Sequence, residues 1–223
     1  MTDIRFPNES KSYRKAREEL LDAEKELRRH IEQVAAQRRA LPQGGALKEN
    51  YVFEELVDDK VVQTSFTDLF TDGHDALFLY NFMYSPSMDY ACSGCTALMD
   101  GLDGQIRHIN QNISTAVVAK HDIRTFHEHA QTRGWKDLRL LSSKNNSYHV
   151  DYYGEVDGNQ ITNANIFQRD GDTIRHFWNS EMVFATPMEG CHPRHLDIIW
   201  PLWGVLDMTP LGRGDFSPSL RYD

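Results

Sequence analysis

Cysteine is scarce in this chain: only three occur among 223 residues. An odd count, with no apolar run behind Met1-Thr2-Asp3-Ile4-Arg5, argues against a structural disulfide framework and a secretory signal, and makes a cytoplasmic setting the expectation. Basic residues are in the minority, 24 Lys and Arg against 33 Asp and Glu, for a formal charge of −9. That balance opposes the footprint of a nucleic-acid binder, and no aromatic–basic repeat offsets it. No apolar run approaches the length of a bilayer span, so no membrane is expected as a partner. Internal repeats and low-complexity segments are missing as well. What is present, 40% hydrophobic and 26% charged residues, is ordinary for a globular chain. The length suits one sizeable α/β domain with an appendage.

The appendage comes first. From about Lys11 to Ala40 the chain has neither Gly nor Pro, and Tyr13, Leu20, Leu27 and Val34 recur every seven residues with Ile31 beside them. This pattern predicts one long amphipathic helix, with Glu24 in reach of Arg28, ended by Leu41-Pro42-Gln43-Gly44-Gly45. Its narrow apolar stripe suits docking on the same chain or across a homodimer. Residues 1–45 form this helix and linker, and 46–223 form the main domain. There the pattern turns to strands. Residues 51–56 and 60–63 flank Val57-Asp58-Asp59 as a hairpin, Thr67 to Phe70 reads as a helical turn, and residues 76–83 read as a buried strand. Residues 113–118 make a second strand, so the helix between the two builds a right-handed βαβ unit. Asp122 to Arg133 reads as a helix with Asp122 as cap and Gly134 as stop. Ile161 to Gln168 and Thr173 to Trp178 form a later hairpin through Asp170-Gly171. Pro201 should divide any helix in the aromatic tail.

Two of the three cysteines stand together, as Cys92-Ser93-Gly94-Cys95. A buried strand feeding a CxxC at a helix start is the arrangement that redox-active dithiols use. Unpaired amides at the helix start favour a thiolate at Cys92, and Cys95, one turn further in, should be more buried with a higher pKa. That asymmetry makes Cys92 the attacking sulfur on a disulfide or peroxide and Cys95 the resolving one. The cofactor would then be the Cys92–Cys95 disulfide itself, and the partner a thiol or disulfide substrate, protein or small molecule. Three other readings of the pair stay open: a zinc site of Cys92, Cys95 and Cys191 with His192 or His195, two inert core thiols, or a degenerate scaffold remnant.

Other residues are candidates for supporting roles. Tyr90 could cover the dithiol, and Asn81 could hydrogen-bond near Cys95. Tyr148, Tyr152, Tyr153 and Trp178 either line a groove beside it or pack the sheet. His74 reads as a turn residue, and His121, His127 and His129 as surface histidines. Trp200 and Trp203 with the N-terminal helix could support dimerisation.

The ordered series Arg38-Arg39-Ala40-Leu41-Pro42, Asn81-Phe82-Met83-Tyr84, Cys92-Ser93-Gly94-Cys95 and Asp100-Gly101-Leu102 continues through Gly134-Trp135, Phe167 to Gly171 and Leu206 to Pro210. It resembles a bacterial family of thioredoxin-like, predicted dithiol–disulfide oxidoreductases. The resemblance spans nearly the whole chain. It implies a thioredoxin-like central mixed β-sheet flanked by helices, with an extra long N-terminal helix, and puts Cys92 and Cys95 at the nucleophilic and resolving positions. Thioredoxins usually carry a cis-proline facing the dithiol. Here no proline lies between Pro86 and Pro187, and Ile161-Thr162-Asn163 stands at that place. Thr162 is thus a substrate-groove candidate along with Tyr90.

Overall fold

The computed structural model describes residues 4–71, 73–187, 189 and 196–222, in two compact units, Met1–Gln43 and Gly44–Asp223. The first unit is built on α1 (Lys11–Arg39). Ser10 caps it, its Oγ accepting the Tyr13 amide at 3.1 Å. Glu24 pairs with Arg17 at 3.0 Å, while Arg28 turns to Glu32. The expected Glu24–Arg28 pair is therefore replaced by two others, because each charge on so mixed a surface has several partners within reach.

The second unit holds a seven-stranded mixed sheet in the order β2-β1-β5-β4-β3-β8-β9. In chain order its strands are β1 (Val52–Val57), β2 (Lys60–Ser65), β3 (Ala76–Asn81), β4 (Ser114–Ala119), β5 (Leu140–Ser142), β8 (Asn163–Asp170) and β9 (Thr173–Asn179). β6 (Glu155–Val156) and β7 (Asn159–Gln160) form a separate small ribbon. Asp58 and Asp59 join β1 to β2 with φ of 48° and 59°, the left-handed pair that a tight hairpin turn requires. β3 and β4 run parallel across α2 (Ser93–Ile109), and α3 (Ile123–Arg133) returns the chain to β5, parallel to β4. On its other side β3 pairs with the antiparallel hairpin β8–β9. A central strand leading into the CxxC helix, a parallel neighbour and an antiparallel hairpin make up the thioredoxin-like α/β arrangement.

Strand alternation divides the core. Tyr80, Phe82, Val117, Ala119 and Ala164 point to the face covered by α2 and α3. Leu77, Leu79, Ala116, Val118 and Phe167 point to the other, where Tyr51, Phe53, Phe66 and Tyr148 pack ring on ring. On α2, Cys95, Leu98, Met99, Leu102 and Ile106 form the buried stripe. Asp122 caps α3, and Gly134 ends it at φ 77°. α4 (Tyr148–Asp151) is one turn, and Pro201 opens α5 (Pro201–Asp207) at its first residue after a 3₁₀ turn over Asp197–Ile199, dividing the tail as expected. No described helix is long and apolar enough to cross a membrane.

One irregularity shapes the outer hairpin. β8 pairs Phe167 with His176 but Ile166 with Trp178, so Phe177 is a surplus residue, a β-bulge. His176 and Asn179, three apart, consequently face the same side.

Candidate functional site

The dithiol sits where β3 ends. The chain leaves the strand at Phe82 and returns so that Cys92 N–H donates to Met83 O at 3.1 Å, while Cys92 becomes the N-cap of α2. Its Sγ accepts the Cys95 N–H at 3.3 Å, as a Ser or Asp oxygen would at a helix start. The Cys95 thiol, the largest influence, also donates to this sulfur, and the Cys95 and Gly94 amides add to it against the cost of burial. Together they hold Cys92 at a pKa of about 6. Cys95 is buried, and burial followed by the neighbouring sulfur pushes its thiol well up. One sulfur is thus an anion at neutral pH and the other a proton-bearing thiol.

Two hydroxyls stand behind Cys95. Thr162 Oγ1 donates to Tyr80 Oη at 2.6 Å, which leaves the Tyr80 proton for the Cys95 sulfur, and the pair of hydroxyls eases the Cys95 pKa back down. Thr162 lines the space beside Cys95, and no cis peptide bond occurs among the described residues. A cavity of about 280 Å³ opens onto both sulfurs, with Tyr80, Thr162, Leu98 and Gly94 at its base. The C-terminal segment closes it with Trp200, Trp203 and Phe216. The two indoles line this cavity and meet at 5.4 Å between centroids. Arg213, over the Trp203 ring and paired with Asp197 and Asp207, stitches the segment together.

Beneath the dithiol, Thr96 Oγ1 donates to Cys92 O at 2.9 Å. With that proton committed, His129 Nε2–H is the donor to Thr96 at 3.1 Å. His129 packs against Phe82 and Trp135, and burial lowers its pKa. His129 is therefore a partly buried support of the helix start rather than a surface residue. Further along α2, Asp100 accepts from Trp135 Nε1 at 2.8 Å and pairs with Arg133. Asp103 accepts the backbone N–H groups of Lys136, Asp137 and Leu138 at 2.9–3.1 Å. The Asp100-Gly101-Leu102 and Gly134-Trp135 motifs thus lock the dithiol helix to the loop after α3. The motif series included Asp100 but gave neither carboxylate a role, because their partners lie over thirty residues away.

The other expected residues disperse. Tyr90 is 72% exposed and does not line the cavity. Asn81 is buried on the opposite face of the sheet and bonds Asn163, not the dithiol. Tyr148 and Tyr152 pack that same opposite face, whereas Trp178 packs with the α2 side. His74 bonds Thr71 in the turn before β3. His121 stacks on Tyr84, and burial lowers the pKa of His127. Cys191, His192 and His195, the remaining ligands of the zinc reading, lie outside the described residues. Among the described residues no group of three or more His, Cys, Asp or Glu is placed to hold a metal ion.

Several solved structures share parts of this arrangement. Oxidized Prx3 from Vibrio vulnificus is 14% identical, with a TM-score of 0.42, over 61% of this chain and 88% of that one. Thioredoxin peroxidase I from Plasmodium yoelii is 14% identical, with a TM-score of 0.45, over 82% of this chain and 98% of that one. The exposed lipoprotein thioredoxin Etrx1 from Streptococcus pneumoniae is 14% identical, with a TM-score of 0.39, over 56% and 87%. Likenesses this remote carry no argument about the reaction. No curated protein matches the chain in sequence. A family model does match, over residues 4–222, and the chain belongs to that family, DUF899, described as bacterial protein of unknown function.

Proposed function

We propose that the protein is a thiol–disulfide oxidoreductase that uses the Cys92–Cys95 dithiol to reduce disulfides or peroxides. The observation that carries this reading is the polarised pair itself, a Cys92 sulfur held at a pKa of about 6 at the start of α2 beside a buried protonated Cys95. With a disulfide RS–SR′, the Cys92 thiolate attacks one sulfur. A Cys92–SR bond forms, the S–S bond breaks and R′S⁻ leaves. Once Cys92 is bonded, its negative charge no longer raises Cys95. The Tyr80 and Thr162 hydroxyls then favour the Cys95 thiolate, which releases its proton, attacks Cys92 and expels RS⁻. Two electrons pass from the dithiol to the substrate, and an external thiol must restore them. With a hydroperoxide the same sulfur attacks the terminal oxygen, the O–O bond breaks, and the alcohol leaves with a proton. Cys95 then displaces water from the sulfenic acid.

The test is alkylation by iodoacetamide across pH together with reduction of a small disulfide. Cys92 should react with a midpoint near pH 6, and Cys92→Ser should reduce turnover to background while leaving the fold intact. A midpoint near the ordinary thiol value, or equal turnover in the variant, would overturn the reading.

A further inference from the structure

The sheet face opposite the dithiol holds a second and larger cavity, of about 920 Å³, within the size range of small-molecule sites. Asn165 and Asn179 line it, at the end of a row of buried amides whose polarity can be read outward from fixed points. Asn163 Nδ2 donates to two backbone carbonyls, Tyr153 O at 2.9 Å and Tyr152 O at 3.3 Å, so its Oδ1 faces the other way. That oxygen accepts from Asn81 Nδ2 and from Asn165 Nδ2, each at 2.9 Å. The Asn165 oxygen in turn accepts from Asn179 Nδ2 at 2.7 Å and from His176 Nε2 at 3.0 Å. Nε2 of His176 therefore carries the ring proton, and Nδ1 is an acceptor. Burial, acting against Glu181, lowers the pKa of His176 and so favours the neutral ring.

Asn179 ends the line. It is 9% exposed, its Nδ2 is committed, and its Oδ1 has no hydrogen-bond partner among the described residues. A buried amide oxygen left without a donor is costly, and a ligand N–H relieves that cost. Glu181 lies at the rim, close enough to act on His176, exposed and without an ion pair among the described residues. Asp151, the other carboxylate here, is already taken up by Lys48 at 2.5 Å and Tyr51 at 3.0 Å. The walls are Tyr152, Tyr153 and Phe184, the last two meeting edge to face at 5.7 Å. Aromatic faces attract cations, and the polar groups left open here are acceptors.

We propose that this cavity binds a small planar organic cation of the amidinium type, its N–H groups on Asn179 Oδ1 and His176 Nδ1, its charge toward Glu181 and its plane between the aromatic walls. The site is independent of the dithiol, since strand alternation turns its residues to the other side of the sheet.

Calorimetric titration with benzamidine, benzamide and benzoate tests this, because the three share a shape and differ in charge and donors. Benzamidine should saturate one site, benzamide should bind about tenfold more weakly, and benzoate should give no saturable heat. Glu181→Gln, at an exposed position, should weaken benzamidine about tenfold and leave benzamide unchanged, while Cys92→Ser should change neither. In ¹⁵N spectra benzamidine should shift Nδ1 of His176 more than Nε2. Benzoate binding as tightly as benzamidine, an unchanged benzamidine affinity in Glu181→Gln, an unmoved His176 resonance or no saturable heat would each overturn the proposal.

Discussion

The two faces of the sheet are built from neighbouring residues and do opposite things. Tyr80 and Thr162 hydrogen-bond each other beside Cys95, whereas Asn81 and Asn163, each one residue further on, bond each other on the far side. The α2 face is small, carries donors and ends in two sulfurs, one with its pKa held low and the other pushed high. The amide face is larger, and its polar groups are held in one orientation by backbone carbonyls. The period-two geometry of a strand lets one stretch of chain serve both without either disturbing the other. The reactive face is adjustable because its groups titrate. The amide line keeps a fixed polarity because its amides do not titrate.

The most direct way to break this division is to cut the amide line at its anchor. Asn163→Leu would take the donor from the Tyr153 carbonyl and the acceptor from the Asn81 and Asn165 amides, which keep only longer contacts to Tyr152 O and Tyr148 Oη at 3.4 Å. It should lower unfolding free energy by about 3 kcal/mol in urea titration. A loss under about 1 kcal/mol would mean that the line carries little of the fold's stability.

The titrating exception on the amide side gives the next effect. His149 is 1% exposed, and burial first, with Lys120 second, pushes its pKa from 6.5 to about 3. Below about pH 6.5 the unfolded ring takes up a proton, while the folded ring does so only near pH 3. The unfolded state thus binds more protons throughout that window, so this contribution to stability is whole above pH 6.5 and fades as pH falls. The expected slope approaches about 1.4 kcal/mol per pH unit, and His149→Gln should flatten it by that amount between pH 6 and 4 in urea titrations. An unaltered slope would remove His149 from the account.

The smallest effect sharpens the reactive side. Thr162→Val removes the hydroxyl that donates to Tyr80 behind Cys95 and should slow resolution of a Cys92 mixed disulfide about fivefold, the kinetic equivalent of about 1 kcal/mol. The initial attack should keep its rate. Stopped-flow release of an aromatic thiol from its disulfide separates the two phases, and equal slowing of both would assign Thr162 to binding instead.

Much of the architecture was legible because it rests on local signals. The seven-residue stripe from Tyr13, the Asp58-Asp59 turn, the Asp122 cap and the CxxC after an apolar strand each follow from neighbours in sequence. The amide line was not, since Asn81 sits beside Tyr80 and reads naturally as a neighbour of the dithiol. Only the register against β8 shows that its side chain points the other way. Asp100 and Asp103 were hidden for a related reason, as carboxylates on a helix look like a solvated face until the loop after α3 is seen to close on them. Trp200 and Trp203 were not placed beside the dithiol because nothing local tells a tail that it will fold back over Cys92. His129 read as exposed because its helix is polar, yet its contacts are with Phe82 and Trp135.

The bulge at Phe177 acts as a phase switch in the last strand. Simple counting from His176 would set Trp178, not Asn179, opposite Asn165. An indole would then stopper the very space that the amides surround. One additional residue swaps a plug for an open acceptor, so whether this wall of the molecule is solid or receptive depends on chain length at a single position.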